Sequence, residues 1–475
     1  MEKRPFLLLL SGILVTGCAA SRPTESRSPA SALRSGPMLG YAQLTEASLW
    51  VQTTAPAAVS VRYWPEGEEA KARTSAAVAA TDASHRTALV ILTGLEPGTR
   101  YSYEIRLDGV PIRTPPERSF ATQRFWQYRE NPPDFTVAVG SCYFANEAKS
   151  DRPGKPYGRS PEIFERIAEK NPDLMIWLGD NVYYREPDFG SAAALRERNA
   201  LGRAESALQK LLATTRHYAT WDDHDYGPNN AIWTYPLSQN ALDTFKLYWA
   251  NPTYGHRDIQ GVFGVFPWGD VDFFLLDDRW YRTPEDAADA SARTMFGKEQ
   301  LRWLKDALLS SSAPFKVIVN GSQMLNAHTA VDTFRVFPTE YKELTEWIVG
   351  NRIPGVLFLS GDKHHAELIR ETPPGFYTLH DFTSSSLTAG LYLDKSEKEN
   401  PQRVPGTLVA DDHNFGLLRF SGPCNDRLLS LETYDSKGAL RWKHALRARD
   451  LVAPGTPEKE IVGHTGCRWL KASRQ

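Results

Sequence analysis

Cysteine is scarce in this chain, with four in 475 residues. Cys18 falls in a leader-like segment, leaving Cys142, Cys424 and Cys467. Cys424 and Cys467 both lie in the C-terminal part and could pair, which leaves Cys142 as the odd thiol. Surplus charge is also absent. Lys and Arg number 55 against 57 Asp and Glu, so the formal net charge is −2. That balance excludes nucleic acid as an electrostatically driven partner. Any anionic ligand must be held by local positive charge or by metal. No internal repeat is visible. The apolar run FLLLLSGILV (6–15) is too short to cross a membrane.

That run follows Lys3 and Arg4 and leads to VTGC, ending at Cys18. This resembles a bacterial lipoprotein signal (1–18), with Cys18 lipidated after cleavage. An ordinary signal peptide cut at Ala19–Ala20 is the alternative. Residues 19–35 are rich in Ser, Pro and Arg and read as a disordered tether. Ala19 after the cysteine leans towards outer-membrane anchoring on the periplasmic face; a soluble periplasmic or secreted protein is the other outcome.

With 41% hydrophobic residues the chain has ample core, and its length predicts two domains. Residues 36–122 read as a small all-β module of alternating strands such as AVSVRYW (58–64) and TRYSYEIRL (99–107). The segment 92–109 resembles the late strands of fibronectin type III domains, which are β-sandwiches. ENPPDF (130–135) is a Pro-rich linker. From 135 to about 470, strands alternate with helices, an α/β pattern. SPEIFERIAEKNP (160–172), the stretch 191–215 and PTEYKELTEWIVGN (338–351) are the expected helices.

Three apolar runs in this second part end in acidic clusters: LMIWLGDN (174–181), ATWDDHDY (219–226) and VLFLSGDKHHAE (356–367). Ligands in α/β proteins collect at the carboxyl ends of strands. Asp, Asn and His at such ends are the donors of a metal site. Asp180 can bridge two metals with its two oxygens. Asp223 is a candidate for a single metal. Asp362 and His364, one residue apart on a strand end, face the same way, although His365 leaves the choice of imidazole open. Cys142 adds a thiolate and Tyr183 a phenolate, which suits iron or zinc better than magnesium. His224 is better placed as a proton donor to a leaving oxygen. Arg279 and Arg282 could grip phosphoryl oxygens. The chemistry of such a set is metal-assisted hydrolysis, with water activated by the metals.

The segments GSC (140–142), GDNVY (179–183), WDDHDYGPNN (221–230), LDDRWYR (276–282), SGDKHHAE (360–367) and DFTSSS (381–386) resemble the motifs of alkaline phosphatase D (PhoD-like) proteins. The likeness runs over about residues 36–435. This family belongs to the calcineurin-like metallophosphoesterases. The resemblance implies a four-layer αββα core and hydrolysis of phosphate monoesters and diesters with iron and calcium; zinc or another divalent metal is the alternative. It implies that Cys142, Asp180, Tyr183 and His364 hold ferric iron, and that Asp180, Asp223 and Asp362 hold calcium. Asp223-His224 stands where related enzymes have an Asn-His pair. Gln323 replaces a strand-end His of that class, as a weaker metal ligand or a supporting group. Asn230 completes the site or contacts phosphate. Phosphate-ester small molecules or lipids are the implied partners, and a monomer is expected. Competing readings are a phospholipase D-type diesterase on lipid headgroups and a non-catalytic cell-surface binding protein.

Overall fold

The computed structural model describes residues 32–112 and 118–457. The leader, Cys18 and Cys467 lie outside these residues. Among the described residues no helix is long and apolar enough to cross a membrane. A strand, Leu33–Ala42, begins inside the segment expected as a tether.

Two large sheets carry the second part of the chain. At the centre of a nine-stranded sheet, Phe135–Gly140, Leu174–Leu178 and Arg216–Thr220 run parallel. In a six-stranded sheet, Val271–Leu275, Phe315–Val319, Val356–Ser360 and Leu379–Thr383 do the same. Parallel strands need crossovers and are covered on both faces, so they read as continuous apolar runs. LMIWL (174–178) shows the consequence. Leu174, Ile176 and Leu178 enter a core shared with the six-stranded sheet. Met175 and Trp177 point the other way, into a core with Phe164, Leu208 and Leu211 from helices. Aromatic pairs also join the two sheets: Tyr218 stacks on Phe266 with centroids 3.7 Å apart, and Phe420 meets Phe315 edge-on at 5.5 Å.

The N-terminal strands form the two faces of a β module. Val59, Val61, Tyr101, Tyr103 and Ile105 on one side share a buried core with Leu49, Val51 and Val90 on the other. Its first sheet is continuous with the large one, because Leu33–Ala42 pairs in parallel with Arg216–Thr220. Helix limits differ from the sequence expectation in two places. The helix expected over 160–172 covers Ile163–Glu169, since residues 161–162 form a turn. The helix expected over 191–215 is two, Ala192–Arg203 and Ser206–Thr214, the first capped by Ser191 and the second by Glu205.

One buried histidine makes this core sensitive to acid. His217 is fully buried; Trp177 Nε1 donates to its Nδ1 at 3.0 Å, and its Nε2–H donates to the Leu211 carbonyl at 3.1 Å. Burial pushes it down to about 3. Below its ordinary value the unfolded chain takes up a proton that the folded chain refuses, so stability falls as pH drops. The loss is about 1.4 kcal/mol per pH unit between roughly 6.5 and 3. Urea unfolding between about pH 6 and pH 4.5 should show this slope, and His217→Gln should flatten it by about that amount. An equally steep slope in the variant would assign the acid sensitivity elsewhere.

Candidate metal centre

The parallel strands of both sheets end at one place. From the nine-stranded sheet come Cys142, after Phe135–Gly140, Asp180, after Leu174–Leu178, and Asp222, Asp223 and His224, after Arg216–Thr220. From the six-stranded sheet come Asp362 and His364, after Val356–Ser360. Glycine lets the loops meet. A side chain at Gly321 would strike the Asp222 carboxyl at 2.7 Å, and one at Gly361 would strike the Leu178 carbonyl at 2.5 Å. The two glycines are joined by a backbone hydrogen bond, Gly361 N–H to the Gly321 carbonyl, at 2.7 Å.

Three sets of donors cluster here, each with atoms within 4.8 Å of one another: Cys142, Asp180 and His364; Asp180, Asp223 and His224; Asp180, Asp222 and Asp362. Asp180 belongs to all three. Tyr183 Oη donates to Asp180 Oδ2 at 3.0 Å and lies 3.1 Å from His364 Nε2. Cys142 Sγ lies 3.5 Å from the same carboxylate oxygen. It also accepts from Ser385 Oγ at 3.1 Å.

The backbone at these positions is unusual. Cys142, Asp180, Asn230, Asp362 and His364 all have φ between 51° and 64°. Non-glycine residues avoid this left-handed region, and such strain gathers at functional sites. It also corrects one expectation. Asp362 and His364 do not share a strand face; the strand stops at Ser360, and both residues sit on left-handed turns that bring them to the same cavity.

The structure separates the two adjacent histidines. His364 Nδ1–H donates to the Gly390 carbonyl, which leaves the Nε2 lone pair for the cluster. His365 is fully buried and faces Glu367 and Glu397 instead, with Nδ1 near the Lys363 and Tyr392 carbonyls.

The four residues of DDHD divide their work. Asp225 accepts from the Asn181 and Asp222 N–H groups and so ties two strand ends together. Asp223 and His224 line a cavity of about 600 Å³, with Asp180, Asn230, Asp362 and His364. Asn230 N–H donates to Asp223 Oδ2 at 2.5 Å. The His224 ring lies over Tyr183 with centroids 4.1 Å apart.

Burial and crowding of like charge dominate the electrostatics of these donors. Burial pushes the Cys142 thiol up to about 12. Burial, then the neighbouring Cys142 and Asp223, raise the Asp180 carboxyl well above its ordinary range. Burial raises Asp362 to about 6, with Asp332 adding to it and Lys363 opposing. Burial also acts upward on Asp223, but His224, Arg279 and the Asn230 N–H leave it below the carboxylate range. Burial lowers His224 against the pull of Asp223. The buried Asp222 Oδ2 has no hydrogen-bond partner. An orphaned carboxylate oxygen among other hard donors fits a bound cation.

Two sequence expectations change. Gln323 does not join the cluster: its amide NH₂ donates to Glu367 and Thr383, and its carbonyl accepts from Asn326, all at 2.8 Å. Arg279 and Arg282 are 1% exposed and do not open directly on the cavity. Arg279 holds Asp222 through Nε at 2.5 Å, and both arginines reach Ser322. The sequence reading singled out Asp223 from the doublet; the structure adds Asp222 beside it. The doublet itself was the available signal. Cys142 is free and buried, whereas Cys424 is disulfide-bonded.

A family model described as PhoD-like phosphatase matches residues 154–425. A domain of unknown function, DUF7800, matches residues 30–125. Alkaline phosphatase D of Bacillus subtilis (strain 168) is 24% identical over 300 residues, 50% of this chain and 51% of that protein. The chain thus spans about half the length of this curated relative. A solved structure of PhoD superimposes with a TM-score of 0.69 at 17% identity, covering 94% of this chain and 99% of that one. Purple acid phosphatase PPD1 from yellow lupin seeds gives 0.62 at 12% identity, covering 89% and 77%. At these identities the structural likeness establishes a shared mixed α/β fold with multiple sheets. With a family model matched across more than half of its length, the chain belongs to the PhoD-like phosphatase family.

Proposed function

We propose that this chain is an exported, metal-dependent phosphoric ester hydrolase acting on phosphate monoesters and diesters at a dinuclear centre. The observation that carries the reading is the convergence of Cys142, Asp180, Asp223, His224, Asp362 and His364 at one site where strands of two sheets end. The fold behind it is then an αββα metallophosphoesterase core with a fibronectin type III-like module before it. Cys142, Asp180, Tyr183 and His364 would hold ferric iron; Asp180, Asp223 and Asp362 would hold calcium. Bound metals supply Lewis acidity towards phosphoryl oxygens and acidify water.

The chain's own residues do the rest. His224 gives a proton to the leaving oxygen; burial makes its imidazolium a stronger acid than a free histidine. Asn230 borders the cavity and fixes Asp223 through its N–H. Arg279 acts through Asp222, which it holds in place. A lipid anchor at Cys18, a place at the periplasmic face of the outer membrane and a monomeric state complete the reading.

A second reading, a phospholipase D-type diesterase on lipid headgroups, is favoured by one observation. Val331 and Tyr392, which line the cavity, are 52% and 61% exposed.

Metal analysis and turnover of 4-nitrophenyl phosphate and bis(4-nitrophenyl) phosphate test the proposal together. The purified protein should contain iron and calcium and lose activity on chelation. It should show a visible charge-transfer band that disappears in Tyr183→Phe. A colourless, fully active protein holding only zinc would remove the iron assignment. A metal-free protein that turns over neither ester would end the enzyme reading.

A further inference from the structure

Beyond bound metal and His224, the cavity wall offers a phosphoryl group little positive charge. Among the described residues that line it, Lys363 is the single lysine or arginine. Its ammonium is already committed: Nζ donates to the Val331 carbonyl at 2.9 Å and lies 3.4 Å from Asp362 Oδ2. The nearest reserve is the pair Arg279 and Arg282, both buried. Asp332 lines the cavity and covers this pair. Its Oδ1 accepts from Arg282 Nη2 at 3.1 Å and lies 3.8 Å from Arg279 Nη2.

Asp332 is held there. Its N–H donates to Glu285, which itself pairs with Arg282. The loop before it closes through Thr333 Oγ1, which donates to the Asn326 carbonyl at 2.9 Å. Lys363 pins Val331 from the other side. Arg279 Nη1 is buried without a hydrogen-bond partner. One arginine nitrogen therefore has no partner, and the neighbouring charge is quenched by a carboxylate on the cavity wall.

We propose that Asp332 determines which esters this site prefers. This rests on the phosphoesterase reading above. A diester carries one negative charge, while a monoester carries close to two above about pH 7. Beyond bound metal and His224, the second charge meets no uncommitted lysine or arginine among the described residues of the cavity wall, and it faces the carboxylate of Asp332. Asp332 therefore selects diesters over monoesters by withholding the arginine pair. In either hydrolysis the water oxygen bonds to phosphorus and the bond from phosphorus to the leaving oxygen breaks; an alkyl leaving group takes up a proton as it departs, whereas 4-nitrophenolate leaves as the anion. Only the charge left on the phosphoryl group differs.

The test compares kcat/KM for bis(4-nitrophenyl) phosphate and 4-nitrophenyl phosphate in the full chain. The native protein should favour the diester by about tenfold or more, and raising salt from about 0.02 M to 0.5 M should narrow that ratio. Asp332→Asn should shift the ratio towards the monoester by about tenfold, mainly through KM, and inorganic phosphate should inhibit it about tenfold more strongly. A purely structural role would lower both substrates together and weaken phosphate inhibition. A native protein that shows no diester preference, or one indifferent to salt, overturns the proposal even if the variant does not fold. Failure to turn over either ester instead removes the phosphoesterase reading on which it stands.

Discussion

Asp180→Asn is expected to lower kcat/KM by about 10⁴-fold, equivalent to about 5 kcal/mol of transition-state stabilisation, and to strip metal from the purified protein. No other residue belongs to all three donor sets among the described residues. One of its carboxylate oxygens accepts from the His224 N–H at 3.2 Å and the other from Tyr183 Oη at 3.0 Å. Asn keeps the shape and one acceptor but loses the charge and the ability to bridge two cations. The metal-free fold supplies a control. Burial and nearby acids disfavour the Asp180 carboxylate in the metal-free chain. The neutral amide should then leave metal-free thermal stability unchanged or higher. Metal content by elemental analysis, turnover and unfolding of the stripped protein would be measured side by side. A variant that keeps the native metal content and works within tenfold of the native rate would show that Asp180 does not act as the proposed bridge.

His224→Ala is expected to behave differently. Turnover should fall by about 10²- to 10⁴-fold with metal content largely intact, the range for loss of a positioned proton donor. Its ring lies against Tyr183 in a tilted contact, and its backbone N–H is anchored to Asp180. Among the described residues no hydrogen bond holds the ring nitrogens, which leaves them free for a substrate oxygen. The leaving group supplies the discriminating readout. A 4-nitrophenolate departs without protonation, whereas an alkoxide needs a proton. The variant should therefore lose more on an alkyl ester than on a nitrophenyl ester. Equal losses on both, or loss of metal, would place His224 among the ligands.

Much of this site could be read from sequence because its donors follow buried parallel strands. Such strands are covered on both faces and show as unbroken apolar runs. The first polar residues after LMIWL and VLFLS then had to lie at the strand ends. The strand Arg216–Thr220 was harder to see, since RHYAT carries Arg216 and His217 inside the core. What the sequence hid is conformational or long-range. Nothing local marks Cys142, Asp180, Asp362 and His364 as left-handed. Gln323 sits in the right segment, but distant Glu367 and Thr383 claim its amide. The arginines were legible as cations, but Asp332, 50 residues beyond Arg282, decides what they touch. The pairing of Leu33–Ala42 with Arg216–Thr220 is of the same kind, a contact across most of the chain's first half.

The close approach of Gly321 to Asp222, and of Gly361 to the Leu178 carbonyl, has a thermodynamic consequence. It brings loops of two sheets together, and with them donors as remote in sequence as Tyr183 and His364, 181 residues apart. An unfolded chain scatters these groups over a long flexible loop and offers a cation no shared site. Any metal that fills the set binds the folded chain and scarcely the unfolded one. Folding stability then rises with the logarithm of free metal concentration once that exceeds the dissociation constant. A cation held by this set would act as a latch between the sheets, and the chain should then be most robust where that metal is abundant.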